Sequence, residues 1–319
     1  MFFCLFMKNS FSWNNLRKSF LALAPMAGIS DSPFREVCCD YGADLVFTEF
    51  VHIRGIVQGN NKSLDLLKYR TEERPIIAQI FGKEPEFFYK SAKIIEDLGF
   101  DGVDINMGCP ARKVKEHGSG SALMKDVLLA KEIVVATKEA TKIPVSVKTR
   151  IGISRYDGPQ FVKELVDSGA EAITIHGRTV AQKFGGVVDY EAIADIVNSL
   201  NVPVIGNGDI VDINSYNSMI NTGCVGVMIG RGSLGTPWIF NSIKNLSDYS
   251  PNLTDLKQCI IKHASLINDE EENNFLPFRK HLAWYIRGLP NAKIIRNGLV
   301  KINTFSDIIY LLDTIQQGE

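Results

Sequence analysis

The stretch Asn106-Met107-Gly108-Cys109-Pro110 sets a thiol between a glycine and a proline, directly after the apolar run Gly102–Ile105. That run reads as a buried strand. Gly108 and Pro110 restrict the backbone on both sides of the sulfur, so the thiol is held in one place. Arg112, Lys113, Lys115 and His117 follow in the glycine-bearing loop Ala111–Lys125. A fixed thiol beside a positive loop can act as an acid or a nucleophile toward an anionic partner. The competing reading is a small buried hydrophobe, which free cysteine often is.

Other polar residues close other apolar runs. Lys148 ends Val145-Ser146-Val147, and an ammonium pointing into a protein interior needs a negative partner. His176 and Arg178 close a further run. His176 has no second histidine at helical spacing and no acidic cluster near it in sequence, so no metal is expected. Gly206-Asn207-Gly208-Asp209 and Ile229-Gly230-Arg231-Gly232 pair glycines with polar residues. Glycines let backbone N–H groups approach a phosphate, and a following helix offers its positive end. Arg231 adds a fixed charge. The simpler reading of these glycines is a pair of tight turns.

Eight runs must position these residues: Leu21–Ala27, Asp44–Phe50, Pro75–Phe81, Gly102–Asn106, Pro144–Arg150, Ala172–Gly177, Pro203–Asn207 and Gly226–Gly230. Most are continuously apolar, as parallel strands covered by helices are. Segments of helical period lie between most of them: Ser32–Tyr41, Pro85–Leu98, Val127–Ala140, Gly158–Ser168, Tyr190–Leu200 and Ile213–Asn221. This alternation predicts a (β/α)8 TIM barrel over residues 19–240, whose functional mouth lies at the C-terminal strand ends. An open doubly wound sheet is the alternative, and no G-x-G-x-x-G turn follows the first strand. After Trp238 strand signals stop. Residues 241–319 read as a small all-helical domain, patterned at Leu256–Leu266, Arg279–Ile286 and Ser306–Gln316.

The 319 residues are 45% hydrophobic, ordinary for a soluble globular chain, and no run approaches the roughly 20 apolar residues that span a bilayer. Six cysteines without a C-x-x-C pair suit a reducing cytoplasm. A net charge of −1 hides an uneven distribution. Phe275–Ser306 carries Arg279, Lys280, Arg287, Lys293, Arg296 and Lys301 and no acid, just after the acidic run Asp269–Glu272. That pattern is either a polyanion-binding surface or a solvated helical face. Residues 1–18 are expected as an N-terminal extension, disordered or produced by a start ahead of Met7. The opening apolar stretch lacks the charged leader and cleavage site of a signal peptide.

Together these residues resemble the tRNA-dihydrouridine synthases, and the bacterial B-type branch in particular. The resemblance spans about Leu21 to Gly288. Ala24-Pro25-Met26-Ala27-Gly28, Ala78-Gln79-Ile80-Phe81-Gly82, Val147-Lys148-Thr149-Arg150, Gly206-Asn207-Gly208-Asp209 and Gly230-Arg231-Gly232 are shared with it. The specific part is the combination of Asn106–Pro110, His176-Gly177-Arg178-Thr179 and the late Arg279-Lys280-His281-Leu282-Ala283-Trp284-Tyr285. The resemblance implies FMN as cofactor, NADPH as reductant and tRNA as partner, in a cytoplasmic enzyme for which nothing demands more than a monomer. It further implies that Pro25, Met26, Ala27, Gln79, Lys148 and His176 surround the flavin ring. Asn207, Gly208, Asp209, Gly230 and Arg231 would hold its phosphate end. Asn106, Arg112, Arg178, Lys280 and Arg287 would meet the RNA, and Cys109 would be the proton donor.

The chemistry is coherent with that transfer. Hydride from reduced flavin reaches uracil C6, negative charge develops toward C5 and the C4 carbonyl, and an acid must protonate C5. A thiol with a pKa of about 8.5 is mostly protonated at neutral pH yet can release its proton. A lysine near the flavin would stabilise the anionic reduced ring. The uridine must first leave its stack. Two other readings are a flavin-dependent dehydrogenase of a free dihydropyrimidine and a non-catalytic RNA-binding barrel.

Overall fold

Parallel strands close on themselves in the computed structural model, which describes residues 11–315 apart from 157, 248, 270–273 and 291. The strands are β1 (Phe20–Leu23), β2 (Leu45–Phe47), β3 (Val51–His52), β4 (Ile76–Phe81), β5 (Gly102–Asn106), β6 (Val145–Arg150), β7 (Ala172–His176), β8 (Val204–Asn207) and β9 (Gly226–Ile229). Each pairs in parallel with the next around the sheet, and β1 pairs β9 to complete the circle. β2 and β3 both pair β4, so they are one stave broken in the middle, and the barrel has eight staves. The expected second strand, Asp44–Phe50, is therefore interrupted. At the break the Thr48 hydroxyl accepts the Gln79 N–H at 3.0 Å, in place of a ladder carbonyl. The first strand ends at Leu23, earlier than Ala27, because the chain from Met26 turns back on itself: the N–H groups of Ile29 and Ser30 both reach the Met26 carbonyl.

Nearly every strand residue is buried, which explains the continuous apolar runs. Alternate side chains point into the barrel. Register sets Asn106 beside Lys148 and carries Arg150, His176 and Asn207 across three adjacent strands, so these side chains share one rim. Helices start predictably on the outside. Asp31, Asp126, Asp189 and Asp212 each accept a backbone N–H of the following first turn, an N-cap that satisfies an otherwise orphaned donor. The irregular connection before β4 is fastened by a buried ion pair, Arg35 Nε to Glu73 at 2.5 Å, with Arg35 also donating to the Ser30 and Lys68 carbonyls.

The opposite end of the barrel is plugged. Trp13, on a single turn Trp13–Asn15, packs with Phe20, Leu45, Phe47, Ile77 and Ala172. Trp13, within the expected N-terminal extension, thus belongs to the barrel core, with Phe11 and Leu16 packed against it. The readings about Met1–Met7 lie outside the described residues, as does most of the acidic run at 269–272. Beyond Trp238 the described elements are helices only: Leu253–Asn268, Phe278–Tyr285, Ala292–Leu299 and Phe305–Thr314 are the four that build a second core around Ile260, Leu282 and Ile308. That core also takes Val37 from helix Ser32–Asp40 of the barrel, which fixes the tail beside the mouth. Among the described residues no helix is long and apolar enough to cross a membrane.

Removing the Trp13 ring deletes a large buried surface. Trp13→Ala is expected to destabilise the protein by about 3–5 kcal/mol, read from the denaturant midpoint at unchanged m-value. A shift of under about 0.5 kcal/mol would show that the plug contributes nothing to the fold.

Candidate active site

One carboxamide shapes the turn that carries the thiol. At the end of β5, Asn106 Oδ1 accepts the N–H groups of Gly108 at 3.2 Å and Cys109 at 3.0 Å, an Asx-type turn. Its Nδ2 donates to Gln79 Oε1 at 2.9 Å, and Gln79 Nε2 donates to Asp104 at 2.7 Å. Asp104 also accepts the Ser146 hydroxyl at 2.6 Å. Burial pushes the Asp104 carboxyl up to about 6, against the pull of Ser146, Gln79 and Lys148. The turn is also gripped from outside. Arg150 Nε donates to the Gly108 carbonyl at 2.8 Å, and a Cβ at Gly108 would lie 3.2 Å from the Thr149 backbone. Gly120 has a positive φ of 60°, and a side chain there would press on Cys109. A fixed thiol is the outcome. It is half-buried, and burial raises its pKa while the Ala111 N–H, Arg150 and Lys148 pull it back. Cys109 is therefore a protonated thiol at neutral pH.

The thiol borders a cavity of about 640 Å³, within the usual range for a small-molecule or cofactor site. Pro25, Met26 and Ala27 line it, as do Asn106, Lys148, His176, Asn207, Gly208, Asp209, Gly230 and Arg231. Lys148 Nζ donates to Asn207 Oδ1 at 2.8 Å, and Asn207 Nδ2 donates to the Met228 carbonyl at 2.8 Å. The negative partner expected for the lysine is not in contact. Asp104 lies behind it and acts only through its field. Burial lowers the Lys148 pKa to about 7, and the Arg150 charge adds to the effect. His176 falls to about 2, chiefly by burial and then by Lys148, Arg150, Arg178 and Arg231, so it is a neutral imidazole. A cavity that suppresses protonation this strongly favours an anion.

The far end of the cavity offers a place for one. Gly208 and Asp209 take positive φ values of 133° and 51°, turning the backbone after β8 sharply. Among the described residues, the N–H groups of Gly208, Asp209 and Arg231 have no protein acceptor. Successive N–H groups in such a turn form an anion-binding concavity. The Asp209 carboxylate, which would oppose an anion, is occupied by Arg178 and by Arg231 Nη2 at 2.9 Å.

Several expected residues sit elsewhere. Arg178 does not face an RNA surface. It is 2% exposed and bonds Asp209 and the Gly185 and Gly186 carbonyls, so it braces the loop beside the cavity. Arg112 is 89% exposed on the short helix Arg112–Glu116, paired with Glu116 at 2.7 Å and outside the cavity wall. Gln79 lies beneath Asn106 rather than in the lining. Lys280 reaches from the tail to the lip, with Nζ 3.7 Å from the position of a Gly28 Cβ, and its charge acts on Asp31 and Glu49. Arg287 is exposed on the tail, away from the lining. Two residues were given no role in the sequence reading. Asp104 is masked by the apolar neighbours Val103 and Ile105. Phe184 is 59% exposed at the mouth, with the guanidinium carbons of Arg231 and Arg150 at 5.4 and 5.9 Å from its ring centre. The only signal was an aromatic ahead of Gly185-Gly186.

Comparison with known proteins agrees with this architecture. A family model described as dihydrouridine synthase matches residues 22–317. A probable tRNA-dihydrouridine synthase of Rickettsia conorii is 36% identical over 294 residues, 89% of each chain. The tRNA-dihydrouridine synthase B of Pasteurella multocida is 35% identical over 289 residues, covering 88% of this chain and 87% of that one. A probable tRNA-dihydrouridine synthase of Rhizobium leguminosarum bv. phaseoli is 37% identical over 271 residues, with 83% and 84% covered.

A raised thiol pKa has a direct chemical consequence, because only the thiolate is nucleophilic. Iodoacetamide is expected to alkylate Cys109 more slowly than free cysteine at pH 7.5, with the rate still climbing above pH 9, read by peptide mass spectrometry. Rapid labelling that is already at its plateau at pH 7 would mean a stabilised thiolate and would contradict the assignment.

Proposed function

The chain belongs to the dihydrouridine synthase family, and from that premise we propose that it reduces uridines in tRNA to 5,6-dihydrouridine in the cytoplasm, with FMN as resident cofactor and NADPH as reductant. The observation that carries this reading is the fixed, protonated Cys109 thiol on the wall of a cationic cavity. The cavity suits a flavin mononucleotide on chemical grounds. Its wall is largely apolar at Ala24, Met26, Ile29 and Met228, as a flat ring needs. Its polar end supplies free N–H groups and Arg231, as a phosphate needs.

When bound, the flavin supplies the hydride for C6. The protein's residues do the rest. Lys148 is held near neutrality, so it can take up a proton as negative charge accumulates beside it. Asn207 anchors that lysine through a hydrogen bond that needs no counter-charge. Neutral His176 fills the space without adding to the repulsion. Asn106 holds the Cys109 turn on its Oδ1 and, with its Nδ2 tied to Gln79, acts as a positioning residue. Cys109 gives its proton to C5, and the Arg150 and Lys148 charges ease the departure of that proton. Phe184 offers an exposed ring between two guanidiniums, a surface on which a base can stack.

The tail would then contact the RNA backbone. Arg287 suits this role because it is exposed. Lys280 suits it less as a free charge, because Asp31 and Glu49 already face it.

Cys109→Ala is expected to retain stoichiometric flavin while dihydrouridine formation on unmodified tRNA falls about 10²–10⁴-fold, the contribution of a positioned acid. Full turnover by that variant would remove Cys109 from the chemistry. Arg287→Ala is expected to weaken tRNA binding and to reduce the slope of log K against log salt by about 1, with flavin content unchanged. An unchanged slope would place the RNA grip elsewhere.

A further inference from the structure

Three residues far apart in sequence meet where the tail packs on the barrel. Asp31 caps helix Ser32–Asp40, His263 lies on helix Leu253–Asn268 and His281 on helix Phe278–Tyr285. One oxygen of Asp31 and one ring nitrogen from each histidine all lie within 4.8 Å of one another. Neither histidine is at the surface, with exposures of 0% and 1%. Buried polar atoms nearly always have partners, yet among the described residues His263 Nε2 and both ring nitrogens of His281 lack a hydrogen bond. The His281 ring lies against the Ile29 carbonyl, but outside hydrogen-bond geometry.

We propose that Asp31, His263 and His281 are ligands of a divalent cation of borderline softness, zinc being the best match to the donor set. Two imidazoles and one carboxylate are common ligands of such an ion, and a water can complete a tetrahedron. His263 Nδ1 pairs with the Tyr285 hydroxyl at 3.1 Å, which leaves Nε2 as the nitrogen open to an ion; with Nδ1–H donating to the hydroxyl, this is the arrangement by which outer residues orient a metal-bound histidine. Asp31 Oδ1 accepts the Phe34 N–H at 3.1 Å, and its second oxygen has no hydrogen bond among the described residues. The surrounding charges permit a cation. The carboxylates Asp31, Glu49 and Glu73 stand against Arg35 and Lys280, three negative groups to two positive. Ligand atoms around a tetrahedral ion are about 3.4 Å apart, so separations of up to 4.8 Å would close by up to about 1.4 Å on binding.

Such an ion would clip the loop that carries Pro25, Met26 and Ala27 to the helical tail. The inference stands on the packing of the tail and not on the reaction at Cys109. Its test uses the full-length, flavin-containing protein titrated with Co²⁺ alone. One Co²⁺ per chain is expected, with ligand-field bands of a tetrahedral nitrogen–oxygen site, no thiolate charge-transfer band, and displacement by Zn²⁺. Asp31→Asn preserves the helix cap, since asparagine caps as well as aspartate, and is expected to weaken binding more than about 100-fold. Tyr285→Phe is expected to weaken it about 10–100-fold, the usual cost of an outer-shell partner. Wild-type protein that takes up no stoichiometric Co²⁺ or Zn²⁺ would overturn the proposal and leave the histidines as aromatic packing around Phe34. So would Asp31→Asn and His281→Gln variants that bind the ion as tightly as wild type.

Discussion

The Asn106 carboxamide is the point on which the site depends. It gathers two N–H groups of the cysteine turn on one atom and ties the other atom to Gln79, whose own amide ends on a buried carboxylate. A carboxamide is suited to this because it offers an acceptor with two lone pairs and a donor in one rigid plane. Leucine or valine at 106 would fill the space, yet would leave the Gly108 and Cys109 amides free to reorient. The thiol direction is thus inherited from the barrel interior and not from the surface loop in which Cys109 sits.

That interior is costly to build. Asp104, Ser146, Gln79 and Lys148 occupy inward positions that barrels ordinarily give to branched apolar residues. Each is satisfied by a neighbour, so the penalty for unpaired buried groups is avoided. The remaining electrostatic strain appears as shifted acidity: a carboxyl raised to about 6, an ammonium lowered to about 7 and an imidazole lowered to about 2. All three shifts reduce the charge held in the cavity before a ligand arrives. An anionic ligand would reverse the cost at Lys148, and the stabilisation would then be concentrated where the ligand binds.

The staves were legible in the sequence because parallel strands buried on both faces are written as continuous apolar runs, and the mouth was legible because polar residues cluster at their C-terminal ends. The break between β2 and β3 was not, since it depends on Thr48 meeting Gln79, a partner 31 residues away. Arg178 was misread for a similar reason. Beside His176 and Thr179 it looks like a charge at the mouth, and only the fold shows that Asp209 and two glycine carbonyls enclose it. Asp104 was hidden by its apolar neighbours, and the Asp31–His263–His281 cluster has no local spacing to betray it. The fixed backbone at Cys109 was legible because Gly108 and Pro110 restrict it on either side by covalent geometry, whereas the hydrogen bonds by which Asn106 aims the turn were not.

The most direct test of the central claim separates the two halves of the proposed reaction in an Asn106→Ala variant, by following flavin absorbance in stopped flow. Reduction of the flavin by NADPH should proceed at close to the wild-type rate, while reoxidation by tRNA should slow by about 100-fold or more, because the acid is present but no longer aimed. Equal rates in the reoxidation half-reaction would contradict the claim that this carboxamide places the thiol.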